Sequence, residues 1–229
     1  MDRQRREQLY EIDRRLRAAH GTRSLGNKAD PIDELVFIQL SIRTREDAYK
    51  GGYEALAALV GGDWSRLLEL PEEEVVTAIV GGGMGRIKID RLREQMWRIR
   101  DRFGAVTLEP LHRMRDDEVE DFLTSLPGVG PKAARCVMMY SLGRDVFPVD
   151  SHCRRVMDRL GYLPRGTDRK KAHDVLQPLV PSAIRRSLHI NLVHHGKSLC
   201  LPRTPRCEMC PVCDLCPTGQ RRVRPESAE

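Results

Sequence analysis

The most constraining feature of this sequence is a dense group of cysteines near its C-terminal end. Five of the seven cysteines fall within 17 residues: Cys200, Cys207, Cys210, Cys213 and Cys216. A disulfide framework needs an oxidising, usually secreted context, but the first residues of the chain lack the apolar core of a signal peptide. An odd number of cysteines also suits disulfide pairing poorly. The group therefore predicts a metal site.

The cysteine spacing alone is compatible with two kinds of metal site. Cys207, Cys210, Cys213 and Cys216 form two Cys-x-x-Cys pairs, which could hold a zinc ion in tetrahedral geometry. The same close spacing is also typical of iron–sulfur clusters, in which cysteine thiolates bind the iron atoms. Spacing by itself leaves both possibilities open.

Apolar residues recur with a helical period along nearly the whole chain, and strand-like alternation is nearly absent. An opening helix is marked by Leu9, Ile12, Leu16 and Ala19 and ends near Gly21. Further helices are predicted near residues 31–40, 53–60, 64–69, 72–79, 87–102, 116–125, 131–142, 151–161, 168–179 and 184–195. The sequence therefore predicts an all-α fold.

The net charge of +6 is unevenly distributed along the chain. Residues 1–130 carry a net charge of −3, whereas residues 131–229 carry +9. A basic half indicates a polyanionic partner, because each neutralised phosphate releases condensed counterions, although a well-solvated charged surface would have the same composition. No run of about 18 apolar residues could form a membrane span, so we expect a cytoplasmic protein.

A tight, glycine-containing turn is predicted between the helices near 116–125 and 131–142. Residues 126–132 read Leu-Pro-Gly-Val-Gly-Pro-Lys. Gly128 and Gly130 can take positive φ angles and let a ligand approach the backbone closely. The amides of Gly128, Val129 and Gly130 and of the next helix would then bind a DNA phosphate. The run is neither a dinucleotide nor a Walker motif, because no strand precedes it and the Gly-Lys-Ser/Thr order is absent.

Two side chains near this turn have the chemistry of a catalytic pair. Lys132 falls in the first turn of its helix, where the positive end of the helix dipole destabilises the ammonium form and favours a nucleophilic amine. Asp150, or its neighbour Ser151, is predicted to cap the next helix. The amides and dipole of that helix would keep a carboxylate at Asp150 ionised. Locally, a surface lysine and a plain helix cap explain the same residues.

The hairpin and the aspartate together resemble a known family. The run at 126–132, followed by Val-Asp-Ser-His at 149–152, is similar to the helix-hairpin-helix and catalytic aspartate of the endonuclease III family of DNA glycosylases. The resemblance extends from about Asp33 to Cys216. It implies that Lys132 is the nucleophile and that Asp150 assists it.

The resemblance also implies that the cysteine group binds a [4Fe–4S] cluster rather than zinc. The implied ligands are Cys200, Cys207, Cys210 and Cys216. Cys213 is then spare. Arg203 and Arg206, in the loop that would enclose the cluster, are expected to contact DNA phosphates. The adjacent His194 and His195 are interpreted as a surface pair at a helix end and not as ligands.

The function that the resemblance implies is base-excision repair of double-stranded DNA. Such an enzyme flips a damaged base out of the duplex, releases it, and cleaves the abasic strand through a lysine Schiff base. The expected substrates are oxidised or ring-damaged pyrimidines, and the expected state is a monomer. Two alternatives remain: a monofunctional glycosylase in which Asp150 activates water, and a catalytically weak protein that binds damaged DNA.

The implied architecture is two helical domains with DNA lying across both. A barrel of about six helices, with the hairpin, would span 31–144. Residues 1–30 and 145–229 would form a second, discontinuous domain that contains the cluster loop. Lys132 and Asp150 would face each other across the cleft between the domains.

The sequence departs from the family at two positions that fill the gap left by a flipped base. Where endonuclease III relatives usually have a glutamine, alignment of residues 40–44 places Arg43. The apolar wedge that opens the stack falls near Met84, in a glycine-rich loop. Arg43 could read the orphan base or hold a phosphate, and Met84 could equally anchor its loop on the core.

Overall fold

The computed structural model describes residues 3–79 and 85–224, and every regular element within these ranges is a helix. The prediction of an all-α fold is confirmed. The α-helices are α1 (Arg3–His20), α2 (Pro31–Ser41), α3 (Glu46–Val60), α4 (Glu72–Ala78), α5 (Gly85–Phe103), α6 (Asp116–Ser125), α7 (Pro131–Tyr140), α8 (Ser151–Arg159), α9 (Arg169–Leu179), α10 (Arg185–Ser198) and α11 (Pro217–Val223). Short 3₁₀ segments cover Trp64–Leu68, Glu109–Arg113, Ser182–Ile184, Cys207–Met209 and Cys213–Leu215.

The chain divides into two compact units. Residues 27–144 form one unit with α2 to α7, and the residues up to Gly26 join those from Asp145 onward to form the other. The sequence predicted that the first of these units begins at residue 31. The unit begins at Asn27 because the side chain of Asn27 and the amide of Lys28 both donate hydrogen bonds to Glu34 of α2.

Helix α2 is the centre of the 27–144 unit. Its side chains are buried on every face, as expected for a helix that is apolar all round. The helix begins where Asp30 accepts hydrogen bonds from the amides of Ile32 and Asp33 at 2.8 and 2.9 Å, and Pro31 occupies the first helical position. It packs against α3, α5 and α7.

The other unit is built on α1, α8 and α10. The apolar stripe of α1, predicted from the sequence, is fully buried at Leu9, Ile12 and Leu16, and α10 packs against both α1 and α8. Phe147 lies fully buried in the same core. The cysteine-rich segment packs on this core, since Cys200 and Cys210 contact it. Among the described helices, none is long and apolar enough to cross a membrane.

One helix boundary differs from the prediction in an informative way. The sequence predicted the third helix near residues 53–60. Helix α3 instead begins at Glu46 and includes Gly51 and Gly52. A Cβ atom at Gly52 would lie 3.5 Å from the side chain of Ile79, an ordinary van der Waals distance, so the packing of α3 against the segment that ends α4 does not require glycine there.

Candidate functional site

The predicted hairpin lies between α6 and α7, and its two glycines differ in conformation. Gly128 has a φ of +77°, and a Cβ atom there would lie only 2.9 Å from Cδ of Arg91. Gly130 has a φ of −97° and caps α7 in an extended conformation, so it does not use the positive φ that glycine allows. A Cβ atom at Gly130 would meet no heavy atom within 4 Å. Neither φ nor crowding therefore requires glycine at this position.

Two buried glutamines hold the hairpin from the inside. Gln95 of α5 donates to the carbonyl of Pro127 at 2.7 Å, and Gln39 of α2 donates to the carbonyl of Gly128 at 3.4 Å. Both side chains are buried. The hairpin carbonyls are thus bonded to the core, while the first amides of α7 have no partner within their helix. This arrangement leaves N–H groups for an anion.

The side chain of Val129 packs inside the turn and does not lie on its outer surface. Its side chain is buried, and its amide donates to the carbonyl of Leu126 at 3.1 Å. Sequence analysis missed Gln39 and Gln95 as hairpin-positioning residues. A glutamine within the apolar face of a helix is the signal that could have identified them, because a buried amide needs a hydrogen-bond partner.

Lys132 lies in the first turn of α7, as predicted, and it is partly buried. Its charge acts on a carboxyl group that sequence analysis did not single out. Glu34 is fully buried in α2, where it accepts hydrogen bonds from Asn27 at 2.5 Å and from the amide of Lys28 at 2.7 Å. Burial raises the pKa of Glu34 to about 7, although these hydrogen bonds and the charges of Lys132 and Lys28 oppose the rise.

Asp150 belongs to the unit that contains α8, whereas Lys132 belongs to the 27–144 unit. Asp150 is the residue that caps α8, and its Oδ1 accepts a hydrogen bond from the amide of Cys153 at 2.7 Å. The carboxylate is partly exposed. The N-terminal end of α8 therefore stabilises a negative charge that solvent or a ligand can reach.

Four of the five clustered cysteines line one cavity. They are Cys200, Cys207, Cys210 and Cys216. Cys213 is not among the lining residues. It lies against Gly219, and a Cβ atom added to Gly219 would be 3.1 Å from Sγ of Cys213. The set around the cavity is the ligand set that the family resemblance implied. Cys213, which the zinc alternative requires, does not line this cavity.

Several N–H groups point at these sulfur atoms. Nη1 of Arg159 donates to Sγ of Cys200 at 3.1 Å, and the amide of Gly219 donates to Sγ of Cys216 at 3.3 Å. Burial raises the pKa of Cys210 to about 12 and also raises that of Cys216. Buried thiolates at these positions therefore need a bound cation in addition to the N–H donors.

The four thiols that line the cavity fit an iron–sulfur cluster, in which cysteine thiolates bind the iron atoms. Within residues 3–79 and 85–224, no three cysteine, histidine or acidic side chains are arranged to hold one metal ion.

His195 corrects the interpretation of the histidine pair as a surface feature. Its ring is 1 % exposed and lines the cysteine cavity. Nδ1 lies 3.1 Å from Nε2 of His20, and Nε2 lies 3.5 Å from Sγ of Cys210. Burial lowers the pKa of His195 to about 4. Its position after Leu188 and Leu192 on the apolar face of α10 was the signal in the sequence.

The remaining predicted contacts are placed on the surface or lie outside the described residues. Arg203 and Arg206 are exposed in the loop between Cys200 and Cys207. Arg43 is exposed after α2 with a φ of +52°, a conformation that costs about 1–3 kcal/mol in a residue other than glycine. Met84 lies outside the described residues.

Comparisons with known proteins agree with this arrangement. No protein-family profile matches the chain. The Arabidopsis thaliana protein named "Putative DNA glycosylase At3g47830" is 31 % identical over 166 residues, which cover 72 % of this chain and 56 % of the relative. Endonuclease III of Thermotoga maritima is 27 % identical over 183 residues, covering 80 % and 81 %. The structure of a non-covalent endonuclease III–DNA complex superposes with a TM-score of 0.79 at 21 % identity, covering 96 % and 98 %.

The chain belongs to the endonuclease III family of helix-hairpin-helix DNA glycosylases. The recognition made from the hairpin and the aspartate is thus confirmed. The chain spans only about half the length of the Arabidopsis relative. The family assignment covers the helical fold and the hairpin.

The cysteine cavity generates a prediction about metal content. The purified protein should be brown and contain about four iron atoms, because four thiols line the cavity. Cys210→Ser should lose the colour, whereas Cys213→Ser, the matched control outside the cavity, should keep it. Iron analysis and the visible spectrum measure both. A variant series in which Cys213 is required and Cys200 is dispensable would disprove this ligand assignment.

The two hairpin glycines should respond differently to substitution. Gly130→Val places a side chain in open space over the exposed amides, so it should weaken binding to damaged and undamaged duplex alike with little change in the midpoint of thermal unfolding. Gly128→Ala should lower that midpoint, because it combines a positive φ with the contact to Arg91. Fluorescence anisotropy and thermal denaturation test the pair. If Gly130→Val affected only one lesion, the hairpin would read a base instead of a phosphate.

Glu34 should make stability depend on pH. Since the folded-state pKa of Glu34 is raised from its ordinary 4.5 to about 7, wild-type stability falls as pH rises from 4.5 to 7 and stays lower above pH 7. Glu34→Gln lacks this titration. The unfolding free energy of Glu34→Gln, minus that of the wild type, should therefore increase by about 2–3 kcal/mol from pH 5 to pH 8.

Urea denaturation at the two pH values measures this shift. Glu54→Gln, the same change of charge on the exposed face of α3, controls for general charge effects. A Glu34→Gln difference that is equal at pH 5 and pH 8 would show that Glu34 is already ionised in the folded protein at pH 5.

Proposed function

We propose that this protein is a base-excision repair enzyme that releases oxidised or ring-damaged pyrimidines from double-stranded DNA and cleaves the resulting abasic strand through Lys132. The observation that carries the proposal is a lysine in the first turn of the helix that follows a backbone-exposing hairpin. The fold is that of a family of DNA glycosylases. Relatives named endonuclease III and DNA glycosylase support the reaction class.

Binding of the duplex would begin at the phosphates. The first amides of α7, with the open space at Gly130, suit one phosphate. Arg203 and Arg206 supply exposed guanidinium groups in the cysteine loop. Because these contacts involve the backbone of DNA, they would position the enzyme without reading the sequence.

Base release would use the amine of Lys132. The Nζ lone pair attacks C1′ of the damaged nucleotide, the N-glycosidic bond breaks, and the base leaves with the bonding electrons and takes up a proton. The amine loses its protons as the sugar ring opens, which leaves a Schiff base at C1′. Removal of a C2′ proton then breaks the C3′–O bond and nicks the strand. Water hydrolyses the imine and returns Lys132.

Asp150 would stabilise the positive charge that develops on the deoxyribose. Its carboxylate accepts a hydrogen bond from the amide of Cys153 at the N-terminal end of α8, where the helix dipole favours negative charge. It would also favour transfer of a proton away from the attacking amine. If Lys132 did not react, the same carboxylate could activate water, which is the monofunctional alternative.

The cysteine loop would serve to position DNA. Cys200, Cys207, Cys210 and Cys216 would hold a [4Fe–4S] cluster, which supplies a rigid support for the loop and no redox step in the reaction. Arg159 and the amide of Gly219 would stabilise the thiolate ligands through the hydrogen bonds described above. The exposed arginines of the loop would then meet the DNA with little loss of conformational freedom.

The Schiff base supplies the decisive test of this mechanism. Borohydride should trap a covalent adduct between the wild-type protein and an abasic duplex. Lys132→Gln should abolish trapping and nearly preserve binding, because the hairpin amides remain. Lys50→Gln, which removes a partly exposed lysine of α3, is the matched control and should still be trapped. Trapping is measured by gel shift under denaturing conditions.

Asp150→Asn tests whether the negative charge of Asp150, and not only its role as a helix cap, is needed in the same assay. An asparagine still accepts the capping hydrogen bond, so the fold should persist while the negative charge is lost. Base release should slow by about 10²–10⁴, as for loss of a positioned acid–base group. Cleavage of a preformed abasic site should slow less, because no glycosidic bond remains to be broken. Wild-type base release without any trapping would favour the monofunctional alternative.

A further inference from the structure

The segment that leads into Asp150 is held by side chains of α9. Phe147 and Val149 lie in this segment, outside any helix, and both side chains are buried. The amide of Phe147 donates to Oε1 of Gln177 at 2.7 Å. The amide of Val149 donates to Nε2 of His173 at 3.1 Å. Within the described part of the chain, no backbone carbonyl accepts a hydrogen bond from either amide. Two side chains of a helix therefore take the place of a neighbouring strand.

The start of the same segment is held by two further hydrogen bonds. The carbonyl of Asp145 accepts from Nε2 of Gln177 at 3.0 Å and from Nη1 of Arg185 at 2.6 Å. Arg185 also donates to the carbonyl of Gln177 at 2.8 Å. Because His173 and Gln177 are four residues apart, they lie on one face of α9. Gln177 and Arg185 thus hold the start of the segment, and His173 holds its end.

The hydrogen bond from Val149 to His173 lies one peptide unit away from Asp150. His173 is 4 % exposed, so this bond is shielded from water. On the other side, Oδ1 of Asp150 accepts a hydrogen bond from the amide of Cys153. A helix cap requires only the bond to Cys153. The bond to His173 additionally restricts the backbone from which the Asp150 carboxylate extends.

The use of histidine at this position depends on its acceptor atom. An imidazole accepts at Nε2 only when it is neutral and has its proton on Nδ1, and a buried polar ring is unfavourable without hydrogen bonds. Its neighbours in α9, Ala172 and Leu176, are apolar and fully buried. An apolar side chain at residue 173 would suit these neighbours but would leave the amide of Val149 unpaired. The specific contribution of the ring to this segment is therefore to hold that amide.

We propose that His173 is a positioning residue for Asp150 and that it acts by accepting a hydrogen bond from the amide of Val149. This inference rests on the proposed function, in which the Asp150 carboxylate stabilises the positive charge that develops on the deoxyribose. Such stabilisation depends on the distance between the charges. A displacement of about 1 Å can cost on the order of 100-fold in rate. His173 touches no reacting atom and acts only through the backbone.

Two substitutions at His173 separate the acceptor atom from the space that the ring fills. His173→Leu removes the acceptor and keeps an apolar side chain in the core. His173→Gln is the conservative variant, because Oε1 of glutamine can still accept the amide of Val149. In single-turnover assays of the holoprotein, His173→Leu should slow release of a damaged pyrimidine by about 10-fold to 100-fold. His173→Gln should stay close to the wild type.

The ratio of base release to cleavage of a preformed abasic site separates positioning from a loss of stability. His173→Leu should lower this ratio, as Asp150→Asn does, because abasic-site cleavage breaks no glycosidic bond. Leu176→Ala is the matched control. It removes a fully buried side chain from the same helix and lowers stability, but it should keep the wild-type ratio.

A double-mutant cycle tests whether His173 acts through Asp150. In an Asp150→Asn background, His173→Leu should cause little further loss of base release, because the charge that it positions is already gone. Independent effects would instead add. If His173→Leu does not fold, His173→Asn serves in its place, because its side chain is polar but too short to reach the amide of Val149.

Several results would overturn the inference while leaving the proposed function intact. Equal slowing of base release and abasic-site cleavage in His173→Leu would make His173 a structural residue only. An additive loss in the double variant would show that it does not act through Asp150. A His173→Gln variant as slow as His173→Leu would show that the acceptor atom is not what matters.

Hydrogen exchange of the Val149 amide, followed by NMR in the holoprotein, tests the contact without any activity. Exchange should be slow in the wild type and in His173→Gln, and faster in His173→Leu. Equal exchange in all three proteins would refute the contact. A wild type that releases no damaged base would refute the proposed function, and this inference with it.

Discussion

The 27–144 unit depends on buried hydrogen-bond donors that reach from helices into loops. Gln39 and Gln95 bond the carbonyls of the hairpin, and Lys88 bonds the turn that follows α2. Each donor is nearly removed from solvent, where an unpaired polar group costs several kcal/mol. If a loop moved away, both its carbonyl and the buried donor would lose their partner. These hydrogen bonds therefore fix the loops. Rigid loops are what a site needs if it must meet DNA with its backbone amides.

The same constraint operates in the cysteine-rich segment with sulfur in place of oxygen. Arg159 donates to Cys200, Gly219 donates to Cys216, and the ring of His195 lies against Cys210. These contacts come from α8, α10 and α11. They set the sulfur atoms around one cavity and leave Cys213 outside it. Side chains that do not bind metal thus orient those that would, as is usual for metal sites in proteins.

Sequence analysis was most accurate where local physics decides. The bounds of α6, the proline that begins α7 and the aspartate that caps α8 depend on propensity and capping within a few residues. It failed where a residue has an unusual environment. His195 was assigned to the surface because histidine at a helix end usually lies there. The error arose from applying a frequent role without knowledge of the neighbouring chain.

The sequence by itself determined the helical fold, the hairpin with Lys132, and the presence of four cysteines with a family-like spacing. These features reside in short runs, and their physics is contained in hydrophobic period, capping and the geometry of adjacent residues. Only the tertiary structure decided that Glu34 is buried in the same unit as Lys132 and that His173 accepts a hydrogen bond from the amide of Val149. Those roles depend on groups tens of residues apart in the chain, because burial and hydrogen bonding are set by whichever helices come to pack together.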